Sequence, residues 1–306
     1  MLSGVLVVDK PAGPTSHDAV DRVRRVLGEK RAGHTGTLDP FATGVLPVCV
    51  GKATRLARFL AEGEKVYRAS VRLGFATSTD DALGEPLGPP REVRADAAAV
   101  RRATRALTGD LLQVPPAFSA KRVGGRRMYD LARQGVAVER APAPVTVHSL
   151  EVLEVADGRI DVEVRCSPGT YVRALARDLG EALGVGGHLT ALRRTRSGGF
   201  GIDAAVAWED LADHGRERLL PLSDLLGEMP AARVDGRGAD ALRHGRDLGR
   251  EVILAGFPDA EPPPRMRILD ESGGSLLALA VPRGFGPGAP GLPSSPALHP
   301  DVVLME

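Results

Sequence analysis

The sequence predicts an α+β fold in two domains, and three observations lead to that prediction. The chain has 306 residues, 43% of them hydrophobic, which is enough for roughly two domains of about 100–200 residues. Segments with the alternation typical of strands are interspersed with segments of helical periodicity. After Leu226 acidic residues and prolines become frequent, so we place a boundary near residue 228, between domains over 1–228 and 229–306.

The N-terminal part alternates between apolar runs and polar, glycine-rich segments. A continuous apolar run predicts a buried strand, strict alternation a half-buried strand, and apolar residues every three or four positions a helix. These patterns predict a strand over 4–9, a helix over 17–27 capped by Ser16, a Gly/Thr/Pro-rich loop over 29–47, a short strand over 46–50, a short helix over 54–60 and a strand over 65–73.

The later elements follow from the same patterns. A basic, proline-flanked stretch over 113–145 predicts an excursion from the core, part loop and part short helix near 128–134. The remaining predicted elements are a helix capped by Asp96 and ending at Leu107, a strand over 160–166, a helix over 170–183, a short helix over 188–194, two strands within 267–280 and a flexible Gly/Pro/Ser-rich stretch over 283–296.

Composition excludes several classes of protein. No apolar run approaches the ~20 residues of a membrane span, and the first ten residues lack the basic start of a secretory signal. Only Cys49 and Cys166 are present, which excludes a disulfide scaffold and a cysteine-rich zinc site and suits a reducing cytosol. No P-loop, Rossmann fingerprint or HExxH motif occurs. We therefore expect a cytoplasmic protein without membrane contact.

The net charge of +1 conceals an asymmetry. Residues 1–200 contain 30 Lys and Arg against 22 Asp and Glu, whereas residues 201–306 contain 10 against 17. A basic N-terminal two-thirds is compatible with a polyanionic partner, although a solvated basic surface would have the same composition.

The most unusual stretch is GHTGTLDPFATGVLP, residues 33–47. Pro40 biases Asp39 away from helical geometry, and three threonines in the segment can bond locally to its backbone. These features predict a stiff loop that presents one carboxylate. An ordinary Asp-Pro turn is the alternative, because such turns are common.

This stretch resembles the catalytic-aspartate motif of the TruB family, the tRNA pseudouridine-55 synthases of bacteria. Further segments resemble motifs of that family in the same order along residues 4–200. They are VDKP at 8–11 (lysine-proline motif), KVY at 65–67 (tyrosine motif), VPPAFSAK at 114–121 (start of the RNA-gripping insertion), CSPGTYVR at 166–173 (arginine motif) and HLTALRR at 188–194 (leucine-arginine motif).

The resemblance implies a fold and an activity. The fold is a pseudouridine-synthase catalytic domain on a mixed, mainly antiparallel sheet, with the RNA-gripping insertion at about 113–145, followed by a small β-rich PUA-like domain. The activity is isomerisation of the T-loop uridine of tRNA to pseudouridine after the base is flipped out of the loop. No redox change or group addition occurs, so we expect no cofactor and no metal. The expected partner is the T arm of tRNA, bound by a monomer without a guide RNA.

By the same resemblance, Asp39, Tyr67 and Arg173 are the catalytic residues. Asp39 must be ionised to attack C1′ or C6 or to take the C2′ proton, and the sequence leaves these routes open. An aspartate in a closed pocket needs a nearby cation to stay ionised, and Arg173 is the candidate. Tyr67 would stack on the flipped base. An exposed arginine and a core tyrosine are the ordinary alternatives.

Other residues are expected to bind the RNA or to support the site. His34 would hold the space that the flipped base vacates, and Leu192 would exclude water beside the base. Lys10 and Pro11 would support the catalytic loop. The remaining candidates are Tyr171 in the wall of the active site and a phosphate-binding group of Lys121, Arg122, Arg126 and Arg193, extended by Arg194 and Arg196.

Two other functions remain open on the sequence. A non-catalytic tRNA-binding or RNA-folding protein could use the same scaffold, but the presence of Asp39, Tyr67 and Arg173 argues against it. A guide-RNA-dependent synthase like the archaeal and eukaryotic relatives is the other possibility, and the compact N-terminus and the insertion at 113–145 argue against that. Phe118 stands where many relatives have tyrosine.

Overall fold

In the residues that it describes, the structure, a computed structural model, contains a ten-stranded β-sheet, a five-stranded β-sheet and a separate two-stranded pair, with helices packed against the sheets. It describes residues 2–118, 122–123, 126–127, 140–259, 261–285 and 296–305, and of 122–123 and 126–127 it describes the backbone only. The helix predicted near 128–134 and most of the stretch predicted to be flexible at 283–296 lie outside these residues. Within these ranges, no helix combines the length and the apolar character that a membrane crossing requires.

The larger sheet is mixed and mainly antiparallel, which confirms the predicted fold class. Its strand order is β12-β1-β3-β10-β4-β9-β8-β5, with β2 beside β3 and β11 beside β10, and only the β1–β12 and β3–β10 pairs are parallel. The first twelve strands are β1 (Gly4–Lys10), β2 (Ala32–His34), β3 (Thr43–Val50), β4 (Lys65–Leu73), β5 (Gly109–Gln113), β6 (Arg122–Val123), β7 (Arg126–Arg127), β8 (Ala143–Ala156), β9 (Arg159–Cys166), β10 (Gly187–Ser197), β11 (Phe200–Gly201) and β12 (Val206–Ala207). Strands β6 and β7 pair with each other.

One face of this sheet is covered by helices. The described helices are α1 (Ser16–Leu27), α2 (Ala57–Ala61), α3 (Ala97–Ala106), α4 (Val172–Ala182), α5 (Leu211–His214) and α6 (Gly236–Arg243), with 3-10 turns at Gly51–Leu56, Ile202–Ala204, Leu222–Asp224 and Arg250–Val252. The apolar stripes of α1 and α4 pack on the inward residues of the sheet, such as Ala69, Val71 and Val162. This packing brings the start of α4 next to the loop after β2.

The C-terminal part forms the expected small, β-rich unit. Its strands are β13 (Ala231–Val234), β14 (Ile253–Ala255), β15 (Met266–Leu269), β16 (Leu276–Arg283) and β17 (Ala297–Val303), in the order β14-β13-β15-β16-β17. Leu276, Leu279 and Leu304 of this part share one buried apolar cluster with Leu56 and Phe59 of the first part. The second sheet is therefore packed against the first through a common apolar layer.

The cap of α1 differs from the prediction by one residue. Thr15, not Ser16, is the N-cap: its hydroxyl accepts from Asp18 N, and the Asp18 carboxylate accepts from Thr15 N. This reciprocal pair satisfies two free N–H groups at the helix start. Ser16 is buried and instead bonds both the N–H and the carbonyl of Leu38, so it ties the helix to the catalytic-motif loop.

The helix predicted over 188–194 is wrong, because these residues lie in strand β10. The strand pairs with β4 from Gly187 opposite Leu73 to Ser197 opposite Lys65, with two register shifts. Leu, Ala and Arg favour helices locally, but the free edges of β3 and β4 can be satisfied only by a strand between them. The two irregularities also blur the alternation that would have indicated a strand.

The loop predicted over 29–47 contains strand residues at both ends. Strand β2 pairs with β3, Ala32 lying opposite Val50, and β3 begins at Thr43. Pro47 lies within β3 although proline has no N–H, and its carbonyl accepts from Thr35 N. The irregular part of the motif is therefore confined to residues 35–42.

Candidate active site

Asp39 lies in the loop between β2 and β3, in a tight turn closed by the bond from Ala42 N to Asp39 O at 3.0 Å. Two contacts hold this loop in place: Leu38 is buried, and the Ser16 hydroxyl bonds to the Leu38 backbone. The Asp-Pro turn and the presentation of a carboxylate are thus both present in one segment. The Asp39 side chain retains 34% exposure.

Arg173 forms an ion pair with Asp39. Its Nε lies 2.9 Å from Asp39 Oδ2 and its Nη2 lies 3.3 Å from Oδ1, which is the two-pronged geometry that favours arginine over lysine. Arg173 is the second residue of α4, and its side chain is only 5% exposed. The arginine that the resemblance placed beside Asp39 is therefore beside it, and the alternative of an exposed arginine is wrong.

The rest of the Arg173 guanidinium is also engaged. Nη1 donates to Thr79 O at 2.9 Å and lies 3.5 Å from Asp81 Oδ2, and Nη2 donates to Phe118 O at 2.8 Å. Asp81 is buried, so Arg173 bridges two carboxylates. Asp81 was not among the residues predicted from the sequence. Its only local signal is the Asp-Asp pair shortly after strand β4.

The neighbouring Asp80 supports this loop from the other side. It adopts φ +61°, a left-handed conformation that is uncommon for residues other than glycine, and its carboxylate lies 3.0 Å from Arg177 Nη1. Burial raises the pKa of Asp80, and the Arg177 guanidinium opposes that rise. Arg177 also donates to Val114 O, so α4 links the Asp80–Asp81 turn to the base of the insertion.

Asp39 and Arg173 border a cavity of about 350 Å³. Tyr67 and Leu192 lie in its wall beside them, on adjacent strands β4 and β10. The other residues that line it are Thr35, Gly36, Thr37, Leu38, Ala61, Lys65, Ser167, Pro168, Gly169, Thr170, Tyr171, Val172 and Arg194. We call this space the Asp39 cavity. Its volume is in the range of small-molecule sites, large enough for one nucleoside.

Tyr67 has both a core position and a cavity position. It lies on the buried face of β4 with Ala69 and Val71, as the alternation predicted, and it also borders the Asp39 cavity. Burial raises the pKa of its hydroxyl, while the nearby Arg194 guanidinium opposes that rise. Tyr171, the N-cap residue of α4, is held through its backbone by both amide atoms of Gln113.

The electrostatic balance at Asp39 is set by opposing effects. Burial raises the pKa of the Asp39 carboxyl, Arg173 lowers it, and the negative charge of Asp81 raises it again. The net direction is a pKa above the ordinary aspartate value. The ion pair with Arg173 thus offsets only part of the desolvation cost.

Lys10 holds the backbone beside this loop. Its ammonium donates to the carbonyls of Pro11 and Pro14, both at 2.8 Å, and to Pro40 O at 3.3 Å. The side chain is fully buried, and burial lowers its pKa to about 8. Because Pro40 follows Asp39 directly, Lys10 ties the strand β1 end to the turn that carries the carboxylate.

His34 ends strand β2 and immediately precedes Thr35, the first residue of the cavity wall. Burial lowers the pKa of its ring, which favours the neutral imidazole. Among the residues that the structure describes, no group bonds its buried Nδ1 atom. This differs from the ordinary alternative of a loop histidine bonded to backbone.

The expected phosphate-binding residues have different surroundings. Arg193 is partly exposed and forms a two-pronged pair with Asp9, with Nη2 2.7 Å from Oδ2. Arg194 cannot serve as a phosphate ligand, because it is 1% exposed and its donors bond backbone carbonyls. Lys121 lies outside the described residues, and the side chains of Arg122 and Arg126 are likewise not described.

Known proteins similar to this chain agree with the motif resemblance. The family model "TruB family pseudouridylate synthase (N terminal domain)" matches residues 24–172, and the model "tRNA pseudouridylate synthase B C-terminal domain" matches residues 173–227. Asp39, Tyr67 and residues 166–172 of the arginine motif fall within the first match.

Curated relatives cover most of the chain. The tRNA pseudouridine synthase B of Thermobifida fusca is 51% identical over 81% of this chain and 87% of its own, and that of Symbiobacterium thermophilum is 50% identical over 80% and 82%. The tRNA pseudouridine synthase B of Mycobacteroides abscessus is 43% identical over 92% of this chain and 96% of its own.

Solved structures show the same fold. A Cbf5–Nop10–Gar1 complex contains a chain that is 28% identical, with a TM-score of 0.74 and coverage of 99% of this chain and 85% of that one. An H/ACA ribonucleoprotein bound to a substrate RNA gives 27% identity and a TM-score of 0.72 at the same coverages. From its motifs, its fold and these matches, the chain belongs to the TruB family of pseudouridylate synthases.

Proposed function

We propose that this protein is a tRNA pseudouridine synthase that isomerises the T-loop uridine at position 55, as a monomer that binds the T arm without a guide RNA. The enzyme names of the relatives at 43–51% identity support the activity. The basic N-terminal two-thirds of the chain supports a polyanionic substrate. We also propose the division into domains at residue 228, just before β13.

The reaction is an isomerisation with a closed balance of atoms. The N1–C1′ bond breaks with its electron pair on the uracil, the ring turns, and C5 forms a new bond to C1′. C5 then releases its proton, and N1 gains one. No atom is added to the nucleoside, so the protein has to supply positioning, charge and proton transfer only.

One observation carries the proposal: a carboxylate held by a buried guanidinium borders a nucleoside-sized cavity whose wall contains an aromatic ring. Asp39 would act on C1′, on C6 or on the C2′ proton, and Arg173 would keep it ionised and oriented. Tyr67 would stack on the uracil, and Leu192 would keep water from the base. The peripheral cations would hold phosphates.

The base must leave the folded T loop to reach this cavity. Unstacking costs a few kcal/mol and leaves a gap that a side chain can fill. We assign His34 to that gap, since it directly precedes the cavity wall and its neutral ring can stack on neighbouring bases. Lys10 and Pro11 would then support the loop without touching the RNA.

The test is release of tritium from a T stem-loop labelled with tritium at C5 of uridine, in chelator and without nucleotide. The wild-type protein should release the label. Asp39→Asn should remove turnover and leave RNA binding within about tenfold, because the chemistry is lost and the phosphate contacts remain. Asp213→Asn, the same change at an exposed carboxylate in α5, is the control and should keep full activity.

Three outcomes would contradict the proposal. Turnover by Asp39→Asn at the wild-type rate would remove Asp39 from the chemistry. Activity of the wild-type protein only after a guide RNA is added would favour a guide-dependent synthase. RNA binding with no release of tritium by any variant would leave the non-catalytic RNA-binding function in its place.

A further inference from the structure

Arg194 is a buried cation in the wall of the Asp39 cavity. Its side chain is 1% exposed, and it lies on β10 opposite Tyr67 of β4 on one side and Gly44 of β3 on the other. The strand backbone approaches closely here: a Cβ atom on Gly44, which has φ +102°, would lie 2.2 Å from Arg194 O. The backbone of Arg194 is therefore fixed by the sheet.

All three nitrogens of the guanidinium donate to backbone. Nε donates to Val45 O at 2.7 Å, Nη2 to Gly36 O at 3.1 Å and Nη1 to Thr37 O at 3.5 Å. The last two carbonyls belong to the loop that carries Asp39. Arg194 thus fixes the backbone two and three residues before the carboxylate.

Arg194 forms no ion pair with any carboxylate that the structure describes. The other arginines of this region do form ion pairs: Arg173 with Asp39 and Asp81, Arg177 with Asp80 and Asp178, and Arg193 with Asp9. A buried unpaired cation costs several kcal/mol, and such costs are retained mainly at functional sites. The charged and titratable groups near Arg194 are Lys10 of β1, His34 of β2, and Lys65 and Tyr67 of β4, with Asp39 across the cavity.

The proposed reaction creates a negative charge in this cavity. Uridine enters with a neutral base. When the N1–C1′ bond breaks, the electron pair stays on the uracil, which then carries one negative charge spread over N1, O2 and O4. An anion is also formed on the ring if Asp39 adds to C6. A fixed cation without a competing carboxylate therefore favours the transition state over the bound substrate.

We propose that Arg194 has two roles in the synthase reaction: it positions the Asp39 loop through Gly36 and Thr37, and its unpaired charge stabilises the uracil anion. This inference rests on the proposed function. Among the described residues of the wall, Lys65 is also a cation without a carboxylate partner. Arg194 is preferred because burial lowers the pKa of Lys65 to about 8, whereas a guanidinium stays charged.

The first experiment compares the wild type with Arg194→Gln, which keeps a donor but loses the charge. Single-turnover rates are measured on T stem-loops that contain uridine or 5-fluorouridine. Loss of the starting nucleoside is followed by liquid chromatography of the digested RNA, because uridine and pseudouridine have the same mass. On uridine the rate should fall about 100-fold, with RNA binding changed less than about threefold. Fluorine already stabilises the uracil anion, so on 5-fluorouridine the loss should be about tenfold or less.

The second experiment uses Arg194→Lys, which titrates where arginine does not. Burial depresses the pKa of the neighbouring Lys10 and Lys65 to about 8. The lysine variant should therefore lose rate relative to the wild type at the same pH between about pH 8 and 10. Its thermal unfolding temperature relative to the wild type should not fall over that range, so the loss of rate is not a loss of folded protein. This second experiment still tests the proposal if Arg194→Gln does not fold.

The outcomes separate the two proposals. Equal losses on uridine and 5-fluorouridine, together with a lysine variant whose rate has the wild-type pH dependence, would reduce Arg194 to a structural residue and overturn this inference alone. Absence of turnover in the wild type on both RNAs would overturn the proposed function and this inference with it.

Discussion

The Arg173 guanidinium lies between two carboxylates, with Nε 2.9 Å from Asp39 Oδ2 and Nη1 3.5 Å from Asp81 Oδ2. The two acids compete for one cation, and the nearer one is the proposed catalytic group. Asp81 has a double effect on Asp39: it anchors Arg173, and its own charge raises the pKa of Asp39. Removing that charge therefore changes both the rate and its pH dependence.

Asp81→Asn should shift the acid side of the pH–rate profile to lower pH. In the proposed reaction Asp39 must be ionised, and its pKa lies above the usual aspartate value, so wild-type activity should fall as pH drops through that raised value. Without the Asp81 charge the pKa of Asp39 falls, although the rate at neutral pH should drop about tenfold because Arg173 loses an anchor. Single-turnover rates between pH 4 and 8 measure both effects. A shift of the acid side of the profile to higher pH in Asp81→Asn would contradict this account of Asp39 and Asp81.

Lys10→Met should destabilise the protein by about 3 kcal/mol, because three carbonyls around the turn of Asp39 lose their donor in a buried place. The pH dependence has a defined sign. Lys10 has a pKa of about 8 when folded and 10.5 when unfolded, so between these values the unfolded chain binds the extra proton. Stability contributed by this group rises with pH across that window. Urea unfolding of both proteins at pH 7, 8.5 and 10 should show a difference that grows with pH.

Gly180→Ala should displace the helix that carries Arg173. A Cβ atom at Gly180 would lie 2.1 Å from Gly187 N, where α4 crosses strand β10, and backbone cannot yield as a flexible side chain would. We expect a loss of about 3 kcal/mol or more and lower turnover, measured by urea unfolding and tritium release. Gly88→Ala is the matched control, since a Cβ there meets nothing within 4 Å, and it should be neutral. Equal stabilities of the two variants would refute the close-packing argument.

Phe59→Ala should weaken the packing between the two large sheets. The guanidinium carbons of Arg58 and Arg265 lie 4.5 and 4.6 Å from the centre of the Phe59 ring, and both arginines bond Asp301. The expected loss is about 3 kcal/mol for the buried ring, against about 1 kcal/mol for Asp301→Ala, whose ion pairs are partly exposed. Thermal unfolding of both variants checks the order. A larger loss for Asp301→Ala would show that charge, not packing, holds the two sheets together.

Local patterns predicted the elements that tertiary structure does not override. The alternation over 65–73 gives strand β4 with its expected buried face, and Asp96 caps α3 as predicted. The strand β10 was missed because its residues favour a helix and its two irregularities hide the alternation, so only the free edges of β3 and β4 decide its conformation. Long-range pairing is not visible in a single segment.

The site residues also divide into those that the sequence indicated and those that only contacts between distant segments reveal. Asp39 and Arg173 were assigned through the family resemblance. Their local sequence left an ordinary Asp-Pro turn and an exposed arginine as the alternatives. The roles of Asp81 and Arg194 could not be predicted, since each role depends on a contact between distant segments: Asp81 with α4, and Arg194 with the Asp39 loop. An arginine in a basic sequence is more often at the surface, which is why Arg194 was expected to bind phosphate.

The apolar layer between the sheets has a consequence for how this protein can vary. Leu276, Leu279 and Leu304 cover Leu56 and Phe59, so a chain that ended at residue 228 would expose these side chains to water. The C-terminal part is therefore not a removable appendage. Lineages that lose or exchange it must at the same time make the exposed surface of the first sheet polar, and the two parts should evolve together.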